Sequence, residues 1–340
     1  GFVGNRAAPA IVCLVRARDN TDARGRLSAS MGAYGLWGAQ VSSCTIALAS
    51  DVTLPLLGLT PSVLRALSTQ LRLVVHAAAH VSSALPYTAL RTTNVGGSAR
   101  VTALAVHAHV RLLHASTLAF IDPGHAESLD VKTSALSFRS GYAQSKYVAE
   151  CVVNYARERH ALDGLIFRPG VICGCSRTGA SNEKDAVMML LCGLVRSAVV
   201  STGPHSPIPR HFNCIPVDTV SAAIVALGTA ENDALNAVVY HMCAPRSLSL
   251  ETLCDWLRAA GFKLEEVSAD AFCRQVARDV TENHPWFSMK VQLSRPCTIG
   301  TLSTAPVMPV TRNAQPAISG CGRPSELTQQ GLALAMRHLL

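Results

Sequence analysis

Tyr142-Ala143-Gln144-Ser145-Lys146 opens a segment, Tyr142 to His160, in which Tyr147, Val148, Cys151, Val152 and Tyr155 recur at helical spacing. A strand candidate with an apolar centre, Val110 to His114, precedes it, and an apolar run, Leu165 to Phe167, follows it. Short apolar runs of this kind read as strands buried on both faces. Working outward, Ile11 to Val15, Cys44 to Ala49 and Leu71 to His76 have the same character, and Thr92 to Val106 reads as a helix with small residues on one side. Strands alternating with helices predict an α/β fold with a doubly wound, Rossmann-like parallel sheet.

Beyond Gly174 the pattern changes. Met188 to Val200 is an apolar helix or helix pair, and Ser201 to Arg210, with three prolines, is a loop. Ile215-Pro216-Val217-Asp218 opens a helix through Leu227, Leu250 to Ala260 is helical, and Lys263 to Val267 is a candidate strand. Arg295 to Ser325 is rich in Pro, Ser, Thr and Gly and reads as loop before a short final helix, Glu326 to Leu340. The expected organisation is a Rossmann-like domain over 1–180 and a smaller, mostly helical subdomain over 181–340, with 215–245 returning to the sheet.

The 340 residues are 49% apolar and 15% charged, which predicts a substantial core. The net charge of +8 suits an anionic ligand or an acidic partner. The charges are not gathered into runs and aromatics make up 5%, so neither a nucleic-acid stacking surface nor a basic tail is expected. No apolar run reaches membrane-spanning length. Twelve scattered cysteines without C-x-x-C spacing predict reduced thiols in a cytoplasmic protein rather than a zinc site. His76 and His80 lie four apart but lack the carboxylate of a zinc helix, so no metal is expected. The start, Gly1-Phe2-Val3-Gly4, has no signal-peptide pattern and reads as the beginning of a fragment.

Tyr142 and Lys146 sit four apart on one helical face, about one turn from each other. An ammonium beside a phenol lowers the phenol's pKa toward a range useful for proton transfer at neutral pH.

These pieces resemble the thioester reductase domains of the extended short-chain dehydrogenase/reductase superfamily, found in nonribosomal peptide synthetases, carboxylic acid reductases and aminoadipate reductases. The resemblance is carried by "CLVRARD" (13–19), "LGLTPSVL" (57–64), "VVHAAAHVSSALPY" (74–87), "NVGG" (94–97), "STLAF" (116–120), "GYAQSKYVAE" (141–150), "FRPGVICGCSRTG" (167–179) and "IPVD" (215–218). It implies that Tyr142 donates a proton to the developing alkoxide, that Lys146 holds the nicotinamide ribose, and that Thr117 hydrogen-bonds the substrate carbonyl. It further implies that Arg16 and Arg26 accept the 2′-phosphate of NADPH and that Asp51 meets the adenine. Ala77 and Ala78 would admit the cofactor to the backbone, as would Ser116 beside Thr117. Pro169, Val171 and Ile172 would pass the nicotinamide amide, and Asn94 would make a structural polar contact. The implied reaction is NADPH-dependent release of an acyl thioester, held on the phosphopantetheine of an acyl or peptidyl carrier protein, as an aldehyde or further as an alcohol. Two other readings stay open: a fatty acyl-CoA reductase or other member of the superfamily, and a catalytically silent carrier-docking module.

The family opens with a strand, the motif T-G-x-x-G-F-x-G and a long helix. Gly1 and Gly4 match the end of that motif, and six residues, Asn5 to Ala10, separate it from the next strand. A parallel crossover needs about a dozen residues, so the expectation is a truncated first strand and helix, unpaired neighbouring strands and an incomplete pyrophosphate cradle.

Overall fold

The computed structural model of the chain describes residues 10–82, 84–121, 125–131, 140–203, 205–231, 235, 237–295 and 312–339. Two compact units divide the chain, one from Gly1–Ser116 and Ser134–Ile166, the other from Thr117–Thr133 and Phe167–Leu340.

In the first unit, β1 (Ile11–Val15) leads through α1 (Asn20–Ala33) and the short α2 (Ala39–Cys44) to β2 (Thr45–Ala49). The Asp19 carboxylate accepts the Asp22 amide at 2.8 Å, which satisfies one of the free N–H groups of the first turn of α1. β1 and β2 pair in parallel from Ile11↔Thr45 to Val15↔Ala49. α3 (Pro61–Ser68) begins on the Thr60 cap with proline in its first turn, where a missing N–H does no harm, and leads to β3 (Leu73–His76). Residues 87–108 are helical throughout, as α4 (Tyr87–Arg91), a π turn at Thr92–Gly96 and α5 (Gly97–Ala108). β4 (Arg111–Ala115) lies parallel to β3 in register from Leu73↔Arg111 to His76↔His114. α6 (Gly141–His160), capped by Ser140, leads to β5 (Gly164–Pro169), whose first half belongs to this unit.

Parallel strands with helical crossovers are what the alternating pattern predicts. One feature departs from a single continuous sheet. β1 and β2 form a sheet of their own, β3 is the edge of another, and no described strand pairs the open edges of β1 and β3. Ile11 and Val75, which a sheet buried on both faces would cover, are 58% and 60% exposed. Gly1 and Gly4 lie outside the described residues.

The second unit takes the rest of β5 and then β6 (Val171–Cys173), α7 (Ala186–Ser197), β7 (Val199–Val200), β8 (His211–Phe212), β9 (Cys214–Pro216) and α8 (Val217–Thr229). There follow β10 (Val239–Met242), β11 (Leu248–Ser249), α9 (Leu250–Ala259), β12 (Glu265–Glu266), α10 (Ala269–Asp279), α11 (Lys290–Leu293), α12 (Gln315–Gly320) and α13 (Gln329–Leu339). β6 pairs with β9 in parallel, and the apolar segment expected over 188–200 is one helix that stops at the left-handed Ala198 before β7. α12 corrects the expectation that 295–325 is loop. Proline stands in its first turn, where it starts a helix rather than breaking one, and Ile318 is fully buried. Among the described residues no helix is long and apolar enough to cross a membrane.

The core of this unit forms on helical stripes. Leu250, Leu253, Cys254 and Leu257 share a face of α9, Phe272, Cys273 and Val276 a face of α10, and both join Met188, Leu191 and Leu194 of α7. Trp286 is completely buried, and its indole N–H donates to the Leu190 carbonyl at 3.0 Å. That bond sets the ring against Gly193, where any Cβ would run into the indole.

The loop that opens this unit is tied down over long sequence distances. The Glu127 carboxylate accepts the amides of His241 (2.7 Å), Asn313 (2.5 Å) and Ala314 (3.1 Å). Buried Arg168 donates to the Ser128 carbonyl at 3.0 Å and lies over Phe120.

Gly193→Ala is expected to destabilise the protein by about 2 kcal/mol, as overpacked cores do. Urea denaturation followed by circular dichroism checks this, and an unchanged midpoint contradicts the packing described.

Candidate functional site

α6 begins against the backbone of Pro86 and Tyr87 so closely that a Cβ on Gly141 would collide with it, which explains the glycine before Tyr142. One turn into the helix, Lys146 is 2% exposed, and its ammonium donates to the Ala115 carbonyl, at the end of β4, at 2.6 Å. Burial pushes the amine down to about 8, and Glu150, one turn further, acts in the opposite sense. Tyr142 is partly exposed.

Behind this pair runs a buried hydrogen-bond network. Ser145 donates to the Tyr142 carbonyl at 2.8 Å and accepts from the Asn94 side-chain amide at 2.9 Å. Asn94 also takes the His80 amide at 2.7 Å and donates to the His80 carbonyl at 3.0 Å. It sits in the π turn, a local widening that often marks functional positions in helices. Ser98 donates to the Asn94 carbonyl at 2.6 Å, and its oxygen lies 3.0 Å from His76 Nε2. His76 and His114 are register partners on β3 and β4, with ring centroids 5.4 Å apart. Burial, reinforced by Lys146, pushes His76 down to about 4. Burial, then Lys146 and His76, hold His114 well below the ordinary range.

At the ends of β1 and β2, Arg16 is exposed, as is Arg26 on α1. Asp51 accepts the Thr53 hydroxyl at 2.7 Å and the Thr53 amide at 2.8 Å. These bonds, with the charges of Arg16 and Arg100, keep its carboxyl below the usual range. The Asp51 amide and the Ser50 hydroxyl both donate to the Leu57 carbonyl, at 2.9 and 2.7 Å. To present that carbonyl the chain runs left-handed through Leu56 (φ 53°), Leu57 (φ 59°) and Gly58 (φ 72°). A left-handed non-glycine residue costs about 1–2 kcal/mol, so two successive leucines mark a geometry upheld by its surroundings. Ala77 and Ala78 are exposed directly after β3, and Ser116 is buried directly after β4.

The second unit contains Thr117, 9% exposed, whose hydroxyl accepts the Ala119 amide at 3.1 Å. The Leu118 amide donates to the Pro169 carbonyl at 2.9 Å, so this unit brings the Thr117 turn beside the start of the Pro169, Val171 and Ile172 segment. The first unit brings together Tyr142, Lys146 and the strand end at Ala115, and places Arg16 within electrostatic reach of Asp51. The sequence reading did not single out Ser98, Ser145 or His114, nor the bond between His76 and Ser98. Equivalent positions at the ends of two parallel strands were the available signal for the histidines.

Among known proteins, the profile of the male sterility protein family matches residues 5–224. A linear gramicidin synthase of Brevibacillus parabrevis is 29% identical over 279 residues, covering 80% of this chain and 5% of that protein. The L-2-aminoadipate reductase of Saccharomyces cerevisiae is 31% identical over 229 residues, covering 62% of this chain and 16% of that protein. The chain therefore spans only a small part of either relative. Among solved structures, the terminal R domain from the myxalamid PKS-NRPS biosynthetic pathway superposes with a TM-score of 0.85 at 25% identity, covering 98% of this chain and 84% of that one. A thiolation-reductase di-domain from an archaeal non-ribosomal peptide synthetase gives a TM-score of 0.75 at 18% identity, covering 98% and 70%.

Both buried imidazoles have folded-state pKa values below the ordinary 6.5. The unfolded chain therefore binds protons that the folded chain does not, and stability is lost as pH falls through 6.5 toward 4. For His76, held at about 4, we expect about 2 kcal/mol of loss between pH 7 and pH 5. His76→Gln is expected to flatten that slope, as read from denaturation midpoints across the range.

Proposed function

Since the chain belongs to the male sterility protein family, an NAD(P)-binding family, and shares the fold of nonribosomal peptide synthetase R domains, we propose that it is an NADPH-dependent thioester reductase. In this reading it releases an acyl group from a carrier-bound phosphopantetheine thioester as an aldehyde. The observation that carries the proposal is the Lys146 ammonium, buried and anchored on the Ala115 carbonyl one turn from Tyr142. Burying an ammonium opposes folding through desolvation, which the Glu150 charge one turn away offsets only in part. A lysine pushed down to about 8 is matched to proton chemistry near neutral pH.

The residues at the strand ends fit a dinucleotide. Ala77 and Ala78 carry no bulk beyond Cβ and are exposed, and Arg16 and Arg26 are exposed cations of the kind that accept a 2′-phosphate. Ser116 Oγ is buried with no partner among the described residues. NADPH, when bound, supplies the hydride. Tyr142 gives its proton to the substrate oxygen, and the Lys146 charge stabilises the phenolate left behind. Thr117 is assigned a hydrogen bond to the same oxygen as negative charge develops there. The resulting hemithioacetal loses its C–S bond, and the thiol leaves with the proton of the hydroxyl. Gly1 and Gly4 are proposed to meet the pyrophosphate, and Pro169, Val171 and Ile172 the nicotinamide amide. Residues 181–340 are proposed to hold the acyl chain. The partner is proposed to be an acyl or peptidyl carrier domain, in keeping with the thiolation-reductase di-domain that shares this fold and with the net charge of +8.

The chain is expected to consume NADPH in the presence of an acyl-carrier thioester and to release free thiol, with Tyr142→Phe slower by about 10²–10⁴-fold. Arg16→Asp is expected to shift preference toward NADH. Equal turnover of acyl-CoA would favour the acyl-CoA reductase reading. Carrier binding without NADPH consumption would leave only the docking module.

A further inference from the structure

His114 is fully buried, and neither of its ring nitrogens has a hydrogen-bond partner among the described residues. A neutral imidazole carries one donor and one acceptor, so both are left unmet. The neighbouring imidazole cannot meet them, because the rings stand 5.4 Å apart by centroid, tilted by 42°, and His76 Nε2 is engaged with Ser98. A third orphan is Thr102 Oγ1, also buried. Thr102 follows Ser98 by four residues on α5 and therefore shares its helix face, which Ser98 turns to His76. The unmet groups thus belong to facing elements, β4 and α5. Unmet donors and acceptors buried on two packed elements call for a small molecule with both capacities. Water has them, with two donors and two acceptors.

We propose that His114 and Thr102, backed by His76 and Ser98, bind internal water behind Lys146, and that His114 is thereby a positioning residue for the Lys146 ammonium. The ammonium lies at the Ala115 carbonyl, the residue next to His114, and that carbonyl is its one acceptor among the described residues. Polar, hydrated surroundings stabilise the charged form of an amine that burial would otherwise neutralise. The titratable groups around Lys146 are Tyr142 and Glu150 on its own helix, His76 on β3 and His114 on β4. From the packed helices, Tyr87 is half-buried, Arg91 and His107 are exposed, and Arg100 is bonded to the Val52 carbonyl. The water site stands on the orphaned atoms alone, whereas its value to catalysis rests on the reductase reading.

Three variants test this on the intact chain. Thr102→Val replaces the hydroxyl with a methyl of the same shape. If water satisfies that hydroxyl, the variant melts lower by about 2 °C. If the hydroxyl is dry and unpaired, the variant melts higher than wild type, and the proposal fails. His114→Leu is expected to lower the Lys146 titration midpoint by about one unit, read by NMR of carbon-13-labelled lysine. His114→Gln, which keeps a donor and an acceptor, is expected to restore it. An unmoved midpoint in a folded His114→Leu protein overturns the link to Lys146, and should that variant not fold, the Thr102→Val melting result decides. A shifted midpoint in a chain that never consumes NADPH would refute the reductase reading and leave the water site standing.

Discussion

The first unit is organised around a buried ammonium. Lys146 places an ammonium away from bulk solvent and gives it a backbone carbonyl, that of Ala115, as its anchor. Taking such a group out of water opposes folding by several kcal/mol, so the surroundings must be rigid enough to hold it there. β4 ends at the anchoring carbonyl. α6 approaches the Pro86–Tyr87 backbone to within a distance that only glycine permits. The π turn rotates Asn94 so that one amide clamps His80 and Ser145 at once. Each is a local departure from the simplest helix or strand, and each serves the same few cubic ångströms of interior.

Strands and the central helix were legible because their chemistry is repetitive. Ile11 to Val15 is continuous and apolar, and α6 repeats its apolar residues every three or four positions. Tyr142 and Lys146 were legible for the same reason, since four residues is one helical turn. α12 was not, because composition makes proline look like a breaker wherever it stands. The histidine pair was not, because His76 and His114 meet only through the register of two parallel strands, which no local pattern encodes. The left-handed run at Leu56 and Leu57 was hidden still more deeply. Leucine is a poor choice for that conformation, and the reason for it is a carbonyl that must serve both Asp51 and Ser50.

The open edges of β1 and β3 bear on the same question from the backbone side. Edge N–H and C=O groups must be met by water or by another strand. Ile11 and Val75 lie exposed on these strands although their side chains suit a covered sheet. The dinucleotide reading places its contacts at the ends of these strands, at Arg16 and at Ala77 and Ala78.

The Glu127 carboxylate has a consequence for how the chain comes to be built. Its acceptor oxygens are filled by amides of residues 241, 313 and 314. A ribosome delivers the chain from the N-terminus, and residues 313 and 314 follow Glu127 by 186 and 187 positions. The loop that begins with Thr117 therefore cannot be fastened at Glu127 until residues 313 and 314 have been made. Closure over so long a stretch of sequence is slow. Throughout that interval the nascent chain displays an unanchored loop, and translation itself becomes the clock that sets when this unit can mature.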